Sequence, residues 1–230
     1  MTKLIKKTKI NKNIFREYDI RGKYPEEIDS QTAYLLGRSF VLSQKAKTIA
    51  VARDRRIESE KIYPDFIRGA KEAGAKILDL GINSTPALFF TVGIKNLDGG
   101  VSITASHNPN GYTGLKMCDK NGTLLGLNTG IKKLITEIDN KTKKSIKKEI
   151  NKIDINKEYW EFANKIIDTK KIKGFKIVLD ASNGSGARLA DYFFVRLHSK
   201  ITKMNFRLGD QFEDHGLNPM LAENRKLAKE

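Results

Sequence analysis

Apolar and polar positions along this chain switch repeatedly between a period near two and a period near 3.6. Residues 30 to 43, SQTAYLLGRSFVLS, set apolar side chains at helical spacing behind Ser30 as a candidate cap. TIAVARD at 48 to 54 is a short run rich in β-formers, and ESEKIYPDFIRGAKEAG then returns to helical spacing and stops at Gly74. Pro64 lies inside that stretch, so the helix is expected either to kink or to begin there. AKILDLG at 75 to 81 predicts the next strand. TPALFFTVGIKN at 85 to 96 predicts a helix with Thr85 as cap and Pro86 at its first position, and GGVSIT at 99 to 104 a third strand. Strands alternating with helices predict a mixed, mostly parallel sheet with helices on both faces.

Further on, LKMCDKNGTLLG reads as a hairpin turning at Asn121-Gly122, and residues 129 to 139 as a helix. KTKKSIKKEINKIDINK is polar and lysine-rich and reads as an exposed linker, partly helical. The strand-helix grammar then restarts with EYWEFANKIIDT (helix), FKIVLDASNGSG (strand and Gly-rich turn), ARLADYFFVRL (helix) and KITKMNF (strand). The boundary is placed near 150 to 157. This gives a basic tail over 1–13, a first α/β domain over 14–150 and a second over 151–230. By residue 206 the second domain has only about two strands, fewer than an independent sheet uses. It is therefore expected to be truncated, with part of its sheet uncovered.

Composition narrows the class. Of 230 residues 39% are hydrophobic and 30% charged, which suits a globular protein outside membranes, and no window holds the roughly 18 consecutive apolar residues a span needs. The single cysteine, Cys118, excludes an internal disulfide and fits a reducing cytoplasm. The opening MTKLIKKTKINKN is basic but has no apolar core or cleavage site, so it does not read as a secretion signal. Forty-three Lys and Arg against 27 Asp and Glu give a net charge of +16, which raises nucleic acid or another polyanion as a partner. The excess is mostly lysine spread along the chain, densest at 3–12 and 141–152, without basic-aromatic interleaving, zinc spacing or a recognition-helix pattern. Specific nucleic-acid binding is not expected.

Candidate chemistry concentrates in GGVSITASHNPNGYTGLKM at 99 to 117. In open α/β sheets ligands bind beyond the carboxyl ends of strands, and Ser106 lies just past such an end. A serine hydroxyl needs a base or a charged setting to react. His107 is adjacent and Lys116 follows on the next short strand; with Arg21 and the loop amides they could surround a phosphoryl group. The same residues also read as a plain turn with Ser106 hydrogen-bonding locally, since no Gly-x-Ser-x-Gly elbow or Walker loop is present. FREYDIRG at 15 to 22 reads by itself as a charged turn, ARDRR at 52 to 56 as an anion site or, preferably, a salt-bridged corner. DASNGSG at 180 to 186 is a tight turn whose glycines could equally bring amides to a phosphate.

Together, FREYDIRG, ARDRR, TASHNPNGYTGLKM, DASNGSGA and GDQFEDHGLNP occur in the order and approximate spacing of the α-D-phosphohexomutases, over residues 14 to 227. The chain resembles the bacterial phosphomannomutase/phosphoglucomutase branch more than the glucosamine mutases, which open on Gly-Thr-Asp-Gly-Ile-Arg-Gly. The resemblance implies a first domain of that family followed by a truncated second one. It implies that Ser106 is phosphorylated in the resting enzyme and donates its phosphoryl group to a glucose or mannose 1- or 6-phosphate. The hexose 1,6-bisphosphate then reorients and returns the other group. Lys116 and His107 match residues assigned to acid–base work and electrostatics, Tyr18 and Arg21 residues of the opening loop, with Arg21 a phosphate contact. Mg²⁺ would bridge phosphorylated Ser106 and three aspartates.

The chain departs from that pattern. An Asp-Gly-Asp-Gly-Asp-Arg metal loop does not occur in it, nor do the Glu-containing sugar loop and the fourth, phosphate-binding domain. Ala52 stands where glycine is usual, and Ser182 and Ser185 alter the second Gly-rich turn. Little or no mutase activity is expected of the chain by itself, unless a C-terminal chain complements it. A non-catalytic binding fragment and a polyanion-binding protein are the rival expectations.

Overall fold

The computed structural model describes residues 10–140, 149–172, 174–207 and 215–226. In chain order the elements are β1 (Ile20–Lys23), α1 (Ser30–Gln44), β2 (Thr48–Arg53), α2 (Ile57–Glu72), β3 (Lys76–Ile82), α3 (Thr85–Ile94), β4 (Gly99–Ile103) and β5 (Tyr112–Asp119). After them come α4 (Lys132–Thr136), β6 (Ile150–Lys152), α5 (Asn156–Ile166), β7 (Lys176–Asp180), α6 (Ala187–Phe194) and β8 (Lys200–Met204). Among the described residues six strands form one sheet in the order β1-β5-β4-β2-β3-β6. The pairings of β2 with β3 and β4, and of β3 with β6, are parallel, while β5 runs antiparallel to both β1 and β4.

Side-chain alternation on β2 shows how the sheet is covered. Ile49 and Val51 point into a cluster with Leu36 and Phe40 of α1, Phe66 of α2 and Leu134 of α4. Ala50 and Ala52 point the other way, against Ala87, Leu88 and Val92 of α3. Both faces are buried, so the central strands read as continuous apolar runs. On the α1 side the two helices touch backbone to backbone. A Cβ on Gly37 would lie 2.1 Å from the Phe66 carbonyl oxygen, and one on Gly69 2.0 Å from that of Tyr34. Each position is glycine because the opposite helix occupies the side-chain space.

Several elements differ in detail from the pattern-based expectation. α1 is capped by Asp29, whose carboxylate accepts from the Thr32 amide at 2.7 Å, and α3 by Ser84, whose hydroxyl accepts from the Ala87 amide at 3.3 Å. Ser30 and Thr85 are the first helical residues instead. α2 runs unbroken from Ile57 through Pro64. Pro64 withholds a hydrogen bond from Glu60, a solvent-exposed position where water can take its place. The FREYDIRG segment contributes strand β1, and the lysine-rich stretch read as a linker contributes edge strand β6. Residues 141–148 of that stretch, like residues 1–9 of the basic tail, lie outside the described residues.

The second region is a two-stranded parallel sheet, β7 with β8, joined through α6. It leans on the first sheet's layer through aromatic contacts: Phe90 of α3 stacks on Tyr159 at 4.8 Å and meets Phe162 at 5.0 Å, and Phe193 of α6 meets Tyr159 at 5.4 Å. Phe175, Val178 and Val195 remain more than half exposed. This is the α/β class expected, with a partial second region. No helix of the described residues is long and apolar enough to cross a membrane.

Candidate functional site

The loop that leaves β4 is built around two charged residues from the end of β2. Asp54 accepts from the Ala105 amide at 3.3 Å and from the Arg56 amide at 3.1 Å, and its carboxylate lies 3.3 Å from Nε of Arg56. Arg56, 1% exposed, donates through Nη1 to the Pro109 carbonyl at 2.8 Å and through Nη2 to the carbonyls of Ser106, at 3.0 Å, and Asn108. Burial pulls its guanidinium below the ordinary value, and the Asp54 and Glu58 carboxylates oppose that. Glu58, in the first turn of α2, closes the loop by accepting from the Gly111 amide at 2.7 Å.

Ser106 sits on this frame in a left-handed conformation, φ 57°, with an exposed side chain. A non-glycine residue rarely holds that conformation. Here the Thr104 hydroxyl accepts from the Ser106 amide at 2.9 Å and helps hold it. His107 Nδ1 lies 3.4 Å from Ser106 Oγ, a long contact between two exposed groups.

The cations lie one and two strands away. Lys116 on β5 pairs in register with Ser102 of β4, and Arg21 on β1 with Gly114 of β5. Arg21 and Lys116 meet at Asp19: its Oδ2 accepts from Arg21 at 2.5 Å and from Lys116 at 3.4 Å. Arg21 also donates to the Asn108 side chain at 3.1 Å, which ties β1 to the Ser106 loop. Gly114 makes this possible, because a Cβ there would stand 2.1 Å from the Ile20 carbonyl oxygen.

A cavity of about 530 Å³ is lined by Arg16, Tyr18, Asp19, Arg21, Asn108 and Lys116, among others. Tyr18 is 59% exposed, and its hydrogen bond to Glu17 holds the phenol above its ordinary pKa. The structure thus gathers Tyr18, Arg21 and Lys116 at one cavity, with Asn108 as the link to Ser106 and His107, which do not line it. Asp19, Asp54 and Arg56 fall in the stretches read from sequence as a charged turn and a salt-bridged corner, but sequence reasoning assigned none of them a part at the Ser106 loop.

The ARDRR corner is salt-bridged, Arg53 to Glu60 at 3.7 Å as well as Asp54 to Arg56. Its Arg55 reaches the second region, donating to the carbonyl of Arg207 at 2.6 Å and to that of Asn183 at 3.4 Å. The DASNGSG turn is organised by Asp180. It accepts from the Ser182 amide at 2.8 Å and Asn205 at 3.0 Å, and lies 2.9 Å from His215 Nε2.

Magnesium needs several oxygen donors, preferably carboxylates and waters in octahedral array. Among the described residues no group of three or more His, Cys, Asp or Glu could hold a metal ion. Asp19 and Asp54 are engaged by Lys116, Arg21 and Arg56. The described residues do not fit Mg²⁺.

Comparison with known proteins gives a consistent answer. Residues 12–153 match the family model for phosphoglucomutase/phosphomannomutase, alpha/beta/alpha domain I. A phosphomannomutase of Vibrio cholerae serotype O1 is 29% identical over 223 residues, covering 92% of this chain and 48% of the relative. A phosphomannomutase/phosphoglucomutase of Pseudomonas putida is 30% identical over 215 residues, covering 92% and 46%. Among solved structures, a phosphoglucomutase/phosphomannomutase family protein of Burkholderia thailandensis superposes with a TM-score of 0.84 at 27% identity, over 96% of this chain and 50% of that one. The chain spans about half the length of the curated relatives it matches.

Proposed function

The chain belongs to the phosphoglucomutase/phosphomannomutase family, and from that premise we infer that it supplies the phosphoryl-carrying half of a phosphohexomutase. The observation that carries the reading is Ser106, exposed and held left-handed at the end of β4 beside His107, with its loop tied through Asn108 to Arg21.

In this reading a hexose 1,6-bisphosphate primes Ser106: Oγ attacks phosphorus, the sugar–phosphate bond breaks, and the hydroxyl proton passes to the departing sugar oxygen. Phosphorylated Ser106 then gives its group to the free C1 or C6 hydroxyl of a glucose or mannose monophosphate. The hydroxyl proton leaves to a base as the P–Oγ bond breaks and Oγ is reprotonated. The bisphosphate turns around and returns its other phosphoryl group. His107 and Lys116 are the candidate proton-handling groups, Arg21 the phosphate contact and Tyr18 a wall of the sugar site. The geometry in support is the sharing of Asp19 by Arg21 and Lys116, which fixes two cations at one cavity. Magnesium, expected of the family, enters only with carboxylates from outside the described residues, such as a complementing chain would bring. A reducing cytoplasm is the compartment this reading assumes.

The test is to incubate the purified chain with hexose 1,6-bisphosphate and glucose 1-phosphate or mannose 1-phosphate, with Mg²⁺ present. Phosphate on Ser106, found by mass spectrometry and abolished by Ser106→Ala, with little turnover by the chain alone, is the expected result. Ser106 remaining unmodified, with or without a complementing chain, would overturn it.

A further inference from the structure

We propose that Arg56 orients the peptide planes of the 106–110 loop so that the main-chain N–H groups of His107 and Asn110 form a cradle for the oxygens of a phosphoryl group on Ser106. The inference rests on the reading of Ser106 as the phosphoryl carrier and adds a donor set and a positioning residue to it.

In a planar trans peptide the carbonyl of one residue and the N–H of the next point in opposite directions. Arg56 draws the carbonyls of Ser106, Asn108 and Pro109 inward to one buried guanidinium. The N–H after the Ser106 carbonyl is that of His107, and the N–H after the Pro109 carbonyl is that of Asn110. Both are therefore turned away from Arg56. The peptide after Asn108 has no N–H to turn, because Pro109 follows.

The remaining amides of the segment are occupied. Ala105 donates to Asp54, Ser106 to the Thr104 hydroxyl, Asn108 to the Ala105 carbonyl and Gly111 to Glu58. His107 and Asn110 amides donate to no group among the described residues, and both residues are exposed. Two unengaged donors thus share a short exposed loop with the serine hydroxyl, and one belongs to the residue directly after it. Successive N–H groups in a tight loop make an anion-binding concavity; here the two donors stand three residues apart on one loop and would act from either side of the phosphoryl group.

Arg56 itself is 1% exposed and cannot touch a ligand on Ser106. Its part is to hold carbonyls. A planar guanidinium reaches three acceptors at fixed angles, whereas a lysine ammonium in its place would be a point charge without that fork. Asp54 lies behind the guanidinium, 3.3 Å from Nε, and offsets its charge.

The test installs phosphoserine at position 106 by codon-directed incorporation, so that it needs no turnover. The phosphorylated and unphosphorylated chains are followed by ¹H–¹⁵N and ³¹P NMR across the phosphate titration. The expected result is that the His107 and Asn110 amide signals move downfield together as the phosphate ionises, and that its second pKa falls below the ordinary value of about 6. In Arg56→Lys, which keeps the charge and loses the fork, the downfield shifts should collapse and the pKa return toward about 6. Amides in the unsubstituted chain that ignore the titration overturn the cradle; amides that follow it equally in folded Arg56→Lys overturn the role of Arg56. Should Arg56→Lys not fold, the unsubstituted chain alone decides between cradle and no cradle. Failure of hexose 1,6-bisphosphate to phosphorylate Ser106 would sink the carrier reading and leave this titration intact.

Discussion

Arg21 and Lys116, from two antiparallel neighbouring strands, donate to the same oxygen of Asp19, at 2.5 and 3.4 Å. The arrangement follows from register. Arg21 faces Gly114 across the β1–β5 ladder, so Lys116, two residues on, lies diagonal to Arg21 on the same face, where Asp19 completes the row. Neutralising that carboxylate leaves two cations facing each other with nothing between them. Asp19→Asn is expected to lower stability by about 1–2 kcal/mol, since charge-assisted bonds are lost at a partly exposed site. Urea unfolding measures it, and an unchanged midpoint would show that the three groups are not paired in solution.

Gly114→Ala is the more damaging change. Its Cβ would meet the Ile20 carbonyl oxygen at 2.1 Å, and neither strand can yield without breaking the ladder. A loss of at least about 2–3 kcal/mol is expected, the upper range for overpacking. Arg21 should move away from Asn108 as β1 is displaced. A variant as stable as the parent would mean that β1 does not pair with β5 in this register.

How much of this was readable beforehand depended on length. α1 and the α3 run TPALFFTVGI were legible because each is a long, mostly apolar stretch behind helix-start residues, and the motifs pointed to Ser106, His107, Lys116 and Arg21, of which the structure brings Arg21 and Lys116 to one cavity. β1 and β6 were not legible, because four and three residues with few apolar members carry no period; each is a strand only because a neighbour offers hydrogen bonds. The caps missed by one residue for a similar reason. Asp29-Ser30 and Ser84-Thr85 each offer two capping side chains, and only the path of the incoming chain selects between them. Arg56 was out of reach because its role depends on carbonyls some fifty residues away, Ser106 among them.

The second region should respond to acid through Asp180. Burial pushes its carboxyl up, but the Ser182 amide, Asn205 and His215 outweigh that and hold it below the ordinary aspartate value. A carboxyl depressed in the fold contributes stability that is present above about pH 3.9 and is lost as pH falls through its folded value. Asp180→Asn should therefore reduce stability at neutral pH and flatten the acid limb of a stability–pH curve taken from pH 2 to 7. An acid limb as steep as the parent's would remove Asp180 as its source.

Cys118 offers a probe of global opening. Burial raises its thiol to about 12, so almost no thiolate exists at pH 8 while the fold is closed. Labelling by a thiol reagent should track unfolding by denaturant, with negligible modification before the transition. Rapid labelling of the native chain would place the sulfur at the surface.

The proposed boundary near 150 predicts a specific digest. Trypsin should cut first in the lysine-rich 141–152 stretch and leave a resistant N-terminal fragment carrying the Ser106 loop. Ion-pair and aromatic contacts such as Lys95–Glu158 at 3.2 Å and Phe90–Tyr159 connect the pieces across the cut. An N-terminal portion degraded before the C-terminal one would reverse the order of stabilities.

Strand β1 also carries a consequence for synthesis. Its ladder partner is β5, with Ile20 opposite Leu115, so the two lie 95 positions apart (115 minus 20). At roughly 5–20 residues per second of translation, the segment spends on the order of 5–20 seconds outside the ribosome before its partner exists. Arg21 and Lys23 sit within those four residues, and charge on a short strand discourages pairing with a stranger. The arginine that ends beside the Ser106 loop is thus one of two charges the segment carries throughout that interval.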